Sequence, residues 1–283
     1  MNAIEIRNVS KHFKDFSIED LNFELPKGCI CGLVGENGAG KSTTIRLIMR
    51  ALRPDGGTIR VLGTDNAAPE FQQVKEDVGV VLDEAHFPET LNAQQVGSIL
   101  RDTYARWDAA MYDGYLKRFD LPPKKLFRDY SRGMTMKLAI AAALSHDPKL
   151  LILDEATSGL DPIVRDEILD IFSDFTRDAE RSVLISSHIV SDLEKLCDYI
   201  AFLHRGRLRF CREKDALLEE YAVVSCTRAQ LADLPAEAVC GAEESPYGAR
   251  ALVKRALVSP AFSPEPASVE DVILYLVKGE KRK

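Results

Sequence analysis

One eight-residue segment limits what this chain can fold into more than any other feature. Residues 35–42 read Gly-Glu-Asn-Gly-Ala-Gly-Lys-Ser and match the pattern G-x-x-x-x-G-K-[S/T]. A short apolar run at residues 29–34 precedes them, and a helix is predicted from residue 41 to about residue 52. Glycines let such a loop turn tightly, so that successive backbone N–H groups face one anion, and the helix N-terminus adds partial positive charge. The segment therefore predicts a phosphate-binding loop between a strand and a helix of an α/β fold.

Within this loop we expect two side chains to act on the phosphates directly. Lys41 would reach the β- and γ-phosphates of a nucleotide, and the Ser42 hydroxyl would ligate Mg²⁺. A glycine-rich turn with an ordinary lysine is the alternative, which the complete pattern in its required context disfavours. The predicted nucleotide-binding residues of the segment are Gly35, Glu36, Asn37, Gly38, Ala39, Gly40, Lys41, Ser42 and Thr43.

A second segment places two acids at the end of an apolar run. Residues 150–155 read Leu-Leu-Ile-Leu-Asp-Glu, which predicts a buried strand ending in Asp154 and Glu155. Ligands collect at the carboxyl ends of the strands in an open α/β sheet. We expect Asp154 to bind Mg²⁺, usually through water, and Glu155 to polarise the attacking water. Alone, the two could equally be solvated acids that open a loop, but together with a phosphate loop they favour the catalytic interpretation.

Composition narrows the class of protein. The chain has 283 residues, of which 46% are hydrophobic and 29% charged, as is usual for soluble globular proteins. The longest apolar run, around residues 138–144, is too short to cross a bilayer, and the N-terminus lacks a secretory profile, so we expect a cytoplasmic chain. A formal net charge of −7 argues against general nucleic-acid binding. Six cysteines without C-x-x-C pairs favour reduced thiols over a zinc site.

Changes in residue pattern along the chain predict its organisation. Residues 3–9 and 18–25 alternate at period two, which indicates antiparallel strands. The pattern turns helical at about residues 85–145 and then returns to short apolar strands. We therefore predict an α/β fold: a P-loop NTPase core with an antiparallel β-subdomain and an inserted α-helical subdomain, together spanning residues 1–215. Residues 216–283 are predicted to form a small α+β C-terminal extension.

A third segment brings in a resemblance to a known family. Residues 130–134 read Tyr-Ser-Arg-Gly-Met and resemble the signature of the ATP-binding-cassette (ABC) ATPases, whose commonest form is Leu-Ser-Gly-Gly-Gln. The resemblance covers roughly residues 1–215, with every motif in the family's order. It implies that Ser131 and Gly133 complete the ATP site of a second subunit. Ser131 is also a good N-cap for any helix, an alternative that the sequence leaves open.

Two further residues gain a role from this resemblance. Residues 158–161, Ser-Gly-Leu-Asp, resemble the family's D-loop, in which Asp161 would connect two ATP sites across a dimer. Asp161 followed by Pro162 is equally an ordinary helix start, and both interpretations can hold together. His188 resembles the switch histidine that hydrogen-bonds the γ-phosphate, although a lone histidine is more often structural or exposed.

Two family positions carry unusual or ambiguous residues. Phe13 stands where an aromatic side chain usually stacks on adenine, and a core or edge-strand phenylalanine is the alternative. Asp83 stands where many members carry a glutamine that senses Mg²⁺, and its carboxylate could also ligate that ion. The neighbouring Glu84 is a second candidate for the same role.

The resemblance also implies a function and its partners. ATP and Mg²⁺ would bind between two nucleotide-binding subunits, which form a homodimer or a heterodimer, and Lys41, Glu155 and His188 would carry the hydrolysis. The residues after Ser131 and the C-terminal extension look like those of ABC-2 type exporters. Separately encoded transmembrane permease subunits would then hold the chain on the cytoplasmic face of the membrane, with no nucleic acid involved. The alternative is a soluble ABC ATPase that acts on a cytosolic assembly, such as the ribosome or DNA.

Overall fold

Fourteen strands and ten α-helices are present in the computed structural model, which describes residues 1–83 and 87–280. The strands, in chain order, are β1 (Asn2–His12), β2 (Ser17–Pro26), β3 (Ile30–Val34), β4 (Gly56–Val61), β5 (Thr64–Asp65), β6 (Val78–Val81), β7 (Leu150–Asp154), β8 (Ser182–Ser187), β9 (Tyr199–His204), β10 (Arg207–Glu213), β11 (Tyr221–Cys226), β12 (Val239–Ser245), β13 (Gly248–Lys254) and β14 (Glu265–Pro266). The helices are α1 (Lys41–Ile48), α2 (Phe71–Val74), α3 (Ala93–Thr103), α4 (Ala109–Arg118), α5 (Arg132–Leu144), α6 (Pro162–Phe175), α7 (Val190–Leu196), α8 (Lys214–Glu220), α9 (Arg228–Asp233) and α10 (Val269–Glu280).

The central sheet positions the candidate site. Its six strands run in the order β10-β9-β3-β8-β7-β6, and the strands from β3 to β6 pair in parallel. Every residue of β3, β7 and β8 is buried, as expected for parallel strands covered on both faces. The phosphate loop, Glu155 and His188 follow the carboxyl ends of these strands, and Asp154 is the last residue of β7. These groups therefore meet at one edge of the sheet.

A second sheet is antiparallel, as the period-two patterns predicted. Its order is β2-β1-β4-β5, and β1 pairs with both β2 and β4. Alternate residues of β2 are buried from Leu21 through Phe23 to Leu25. The two sheets and their helices confirm the predicted α/β class.

The helix after the phosphate loop is shorter than predicted. It ends at Ile48 rather than near residue 52. Arg50 adopts the left-handed conformation with φ of 57°, and the backbone N–H groups of Ala51 and Leu52 both donate to the carbonyl of Arg46. A left-handed residue just past the last turn ends a helix in this way.

The chain divides into two compact units. One comprises Met1–Ile189 with Ala201–Cys211, and the other comprises Val190–Ile200 with Arg212–Lys283. The predicted domain boundary at residue 215 and the predicted helical subdomain stay predictions; helices α3, α4 and α5 lie between β6 and β7.

The second unit contains the antiparallel sheet β12-β13-β11-β14 and helix α10. Ser268 precedes α10, and its hydroxyl accepts a hydrogen bond from the Asp271 backbone N–H, which caps the helix. Across residues 1–83 and 87–280, the structure has no helix with the length and apolar character needed to cross a membrane.

Candidate nucleotide-binding site

A cleft of about 640 Å³ opens at the carboxyl edge of the central sheet. Residues 36–38 and 40–43 of the phosphate loop line one part of it. Glu155, His188 and Asp83 also line it, although they come from segments far apart in the sequence. The structure therefore places most of the predicted site residues around one space large enough for a small ligand.

Glycines are required in the loop for two different reasons. At Gly40, φ is 112°, a backbone conformation that favours glycine, and an added Cβ would lie 2.9 Å from Cζ of Phe16. At Gly35, an added Cβ would lie 2.4 Å from the carbonyl oxygen of Leu203. Larger residues at either position would displace backbone or an aromatic ring. The loop can therefore adopt this conformation only with glycine at these two positions.

Lys41 is held by the loop that it follows. Its side chain is 6% exposed, and its Nζ atom donates to the carbonyl oxygen of Gly35 at 2.7 Å. The same Nζ lies 3.4 Å from Oε1 of Glu155. A buried ammonium group needs such partners because burial without them is costly. The ammonium group of Lys41 is therefore buried beside the cleft and held in place by oxygens of Gly35 and Glu155.

Glu155 is the centre of a small charged cluster. Its side chain is 13% exposed, and its Oε2 accepts a hydrogen bond from Nδ1 of His188 at 2.6 Å. Its backbone has φ of 52°, and its N–H donates to the hydroxyl of Ser186 at 3.1 Å. This left-handed backbone is uncommon outside glycine, and residues held in such conformations cluster at functional sites. The carboxylate is thus positioned by its own backbone between two basic side chains.

Asp154 and Ser42 offer oxygen atoms suited to a hard divalent cation. Asp154 is buried, and its Oδ1 accepts a hydrogen bond from the Ser186 hydroxyl at 2.6 Å. Ser42 lines the cleft, whereas Asp154 does not line it in the described part of the chain. In the part of the chain that the structure describes, no group of three or more His, Cys, Asp or Glu side chains could hold a metal ion. Asp154 and Ser42 alone still fit magnesium, since this ion usually takes one or two protein oxygens and completes its shell with phosphates and water.

Asp83 lines the cleft but also has a partner within the chain. Its Oδ1 lies 2.7 Å from Nη2 of Arg132. The prediction that Asp83 ligates Mg²⁺ stays a prediction. The other candidate, Glu84, lies outside the described residues.

Three predicted residues of the signature and the D-loop do not line this cleft. Within residues 1–83 and 87–280, none of Ser131, Gly133 and Asp161 lines it. The Ser131 hydroxyl accepts a hydrogen bond from the Met134 N–H at 3.3 Å and caps α5, and Asp161 caps α6 through the Val164 N–H at 3.1 Å. The helix-cap interpretations therefore hold. The roles of these residues toward a second subunit stay predictions.

Two functional candidates were missed at the level of sequence. Phe13 is 44% exposed and does not line the cleft among the described residues, whereas Phe16, three residues further along, does. The two rings stack with centroids 6.3 Å apart. Ser186, which contacts both Asp154 and the Glu155 backbone, could have been noticed as a polar residue in the apolar run of β8.

Comparison with known proteins agrees with this geometry. Residues 18–158 match the ABC transporter family model. The chain is 32% identical to the ABC transporter ATP-binding protein YtrB of Bacillus subtilis (strain 168), over 77% of this chain and 74% of the relative. It is 35% identical to the bacitracin transport ATP-binding protein BcrA of Enterococcus faecalis, over 73% of this chain and 68% of the relative.

The fold is shared with solved structures as well. A dimeric post-hydrolysis structure of an ATP-binding cassette bound to ADP and Pi aligns with a TM-score of 0.67 and 20% identity, over 74% of this chain and 98% of that one. The predicted family resemblance is confirmed: the chain belongs to the ABC transporter family and is one of its ATP-hydrolysing, nucleotide-binding subunits.

Proposed function

We propose that this chain binds ATP with Mg²⁺ in the cleft described above and works as the motor subunit of an ABC-2 type exporter. One observation carries the proposal. Lys41, Glu155 and His188 meet at the cleft, with the Glu155 carboxylate contacting both basic side chains. ATP hydrolysis uses three such groups: a cation, a carboxylate that activates water and a side chain that binds the γ-phosphate.

The contacts of Glu155 suggest how these residues divide the work. A γ-phosphate entering the cleft offers oxygens to Lys41 and His188 in place of the Glu155 carboxylate. Both side chains then stabilise phosphate charge, and Glu155 becomes free to accept a hydrogen bond from the attacking water. Ser42 and Asp154 would hold Mg²⁺, which would supply further positive charge to the phosphates. Positioning and charge stabilisation together account for most of the catalysis in such reactions.

A second subunit completes the site in this proposal. Ser131 and Gly133 lie away from the chain's own cleft, so they would serve the nucleotide of a partner chain, with Asp161 connecting the two sites. Gly133 supports this arrangement. Apart from its chain neighbours and the nearby backbone of its own helix, an added Cβ there would come no closer than 3.6 Å to the described atoms, so the chain's own packing does not require glycine at that position. A homodimer contains two complete sites, and a heterodimer with a related subunit can form them too.

The transport role rests on the relatives. BcrA is named for bacitracin transport, which supports export of a peptide antibiotic or similar compound through separately encoded permease subunits. This chain would then lie at the cytoplasmic face of the membrane, peripheral to those subunits.

The test is purification of the chain with its partners, followed by assays in sealed vesicles. We expect it to copurify with a membrane-spanning permease and to drive ATP-dependent substrate movement. The Glu155→Gln variant should assemble but not transport, and Glu237→Gln, which changes an exposed acid, should behave as wild type. Copurification with ribosomes and no membrane partner would contradict the exporter role.

A further inference from the structure

Arg132 connects the start of α5 to a segment that borders the nucleotide cleft. Its Nη2 atom lies 2.7 Å from Oδ1 of Asp83, which follows β6 and lines the cleft. Arg132 itself is the first residue of α5 and follows Ser131 directly. The two side chains are about half exposed, at 57% and 44%, so water screens their attraction in part.

A third segment meets Arg132 from another side. Gly159 has φ of 73°, and a Cβ added to it would lie 3.4 Å from Cδ and 3.5 Å from Nε of Arg132. The arginine side chain therefore lies along the backbone of Gly159. The preceding residue, Ser158, lines the cleft. Arg132 thus contacts two pieces of the cleft rim, and we name these three residues (Asp83, Arg132 and Gly159) the Arg132 junction.

We propose that Arg132 is a positioning residue that holds Asp83 and the loop at Gly159 in place at the rim of the cleft before a second subunit binds. The proposal rests on nucleotide binding in that cleft. It gives Asp83 a partner in the chain itself: the carboxylate anchors the rim through Arg132 and does not act as a metal ligand. Two positions that depart from the family's common residues then form one matched pair.

The chemistry of arginine suits this role. Its planar guanidinium can bond a carboxylate with one edge while its stem and Nε pack along a backbone. Lysine keeps the charge but offers a single ammonium group, so Arg132→Lys should preserve only part of the effect. Because exposed ion pairs contribute modestly, we expect changes in nucleotide affinity of about twofold to fivefold at low ionic strength.

A double-mutant cycle on nucleotide binding by the full chain tests the proposal. The variants are Arg132→Gln, Asp83→Asn and the two combined, titrated with a fluorescent ATP analogue in Mg²⁺ and again in EDTA. Each single variant should bind about twofold to fivefold more weakly, and the double variant no more weakly than the singles. The losses should be the same in EDTA. The charge swap Arg132→Asp with Asp83→Arg should recover part of the affinity.

A matched control is available at the carboxyl end of α6. Arg177 and Asp174 form a comparable exposed ion pair, with Nη2 to Oδ1 at 2.9 Å, and Arg177→Gln should leave nucleotide affinity unchanged. Additive losses from the Arg132 and Asp83 variants would overturn the proposal. So would a loss from Asp83→Asn that appears only in Mg²⁺, because it would make Asp83 a metal ligand. Failure of the wild-type chain to bind the analogue would overturn the proposed function too, whereas wild-type binding without coupling would overturn only the role of Arg132.

Discussion

Nδ1 of His188 lies 2.6 Å from Oε2 of Glu155, although 33 residues separate the two in the chain. The sheet produces this contact. Glu155 follows β7 and His188 follows β8, and these strands pair in parallel with Asp154 opposite Ser186. The residues that come next therefore leave the sheet side by side. The proposed base and the proposed phosphate ligand therefore lie within hydrogen-bond distance of each other.

Replacing Glu155 by glutamine should separate binding from hydrolysis. The amide keeps the size of the side chain but cannot take a proton, so we expect kcat to fall by about 10²- to 10⁴-fold. Nucleotide should still bind, because Lys41 and the loop are intact. Single-turnover hydrolysis in the assembled complex measures the effect. Hydrolysis at the wild-type rate would mean that another group activates the water.

Removing the His188 imidazole should affect turnover more than binding. We expect His188→Ala to lower kcat by about 10²-fold, since it removes one donor that stabilises the charge developing on the phosphate. His12→Ala is the control, because His12 is also exposed and also lies beside a carboxylate, that of Asp55, but on β1. Steady-state assays of both variants over a range of ATP concentrations separate an effect on turnover from an effect on binding. Equal losses in both variants would remove the special role of His188.

Lys41→Ala should weaken nucleotide binding itself. A hydrogen bond to a charged group contributes about 1.5–3 kcal/mol, which corresponds to a loss of about tenfold to a hundredfold in affinity. Lys149→Ala is the matched control, since Lys149 is 54% exposed and pairs with Asp77. Titration calorimetry with ATP provides the comparison. An unchanged Kd in Lys41→Ala would contradict the proposed contact with the phosphates.

The sequence predicted the placement of the main site residues because each follows an apolar run. A run of that kind indicates a buried strand, and the carboxyl ends of parallel strands meet at one edge. The phosphate loop, Glu155 and His188 reach the cleft in this way. The contact between Arg132 and Asp83 could not be predicted from the sequence, because it depends on the directions of two side chains 49 residues apart. The pattern of apolar residues predicts where strands and helices lie, whereas tertiary packing determines which side chains contact each other.

The aromatic residues before β2 show the same limit and lead to a further prediction. Phe16 lines the cleft and Phe13 does not among the described residues, so we expect Phe16→Ala to weaken nucleotide binding more. Stacking of a base on an aromatic ring contributes about 1–3 kcal/mol, so a loss near tenfold is expected. Phe13→Ala should lower the affinity less, because among the described residues the Phe13 ring does not line the cleft and instead stacks on Phe16, which does. A larger loss in Phe13→Ala would support the family position instead.

His146 should make the stability of the fold depend on pH. Its ring is buried against Tyr104, with centroids 4.1 Å apart, and its Nδ1–H donates to the carbonyl oxygen of Glu76 at 3.1 Å. Burial lowers the pKa of His146 below its ordinary value of 6.5, an effect that the bond to Glu76 opposes only in part. The unfolded chain therefore binds the proton first as pH falls. The stabilising contribution is present above the unfolded pKa and is lost as pH falls toward the folded one.

The variant His146→Asn tests this dependence directly. Its amide can still donate to the Glu76 carbonyl, but it does not titrate, and it loses the stacking on Tyr104. We expect lower stability than wild type near pH 7.5, and a smaller difference near pH 5.5, where only the wild type has lost stability through this group. Urea unfolding at the two pH values measures both differences. His12→Asn, at an exposed histidine, corrects for titration elsewhere, and a difference that stays constant with pH would show that His146 does not control the acid response.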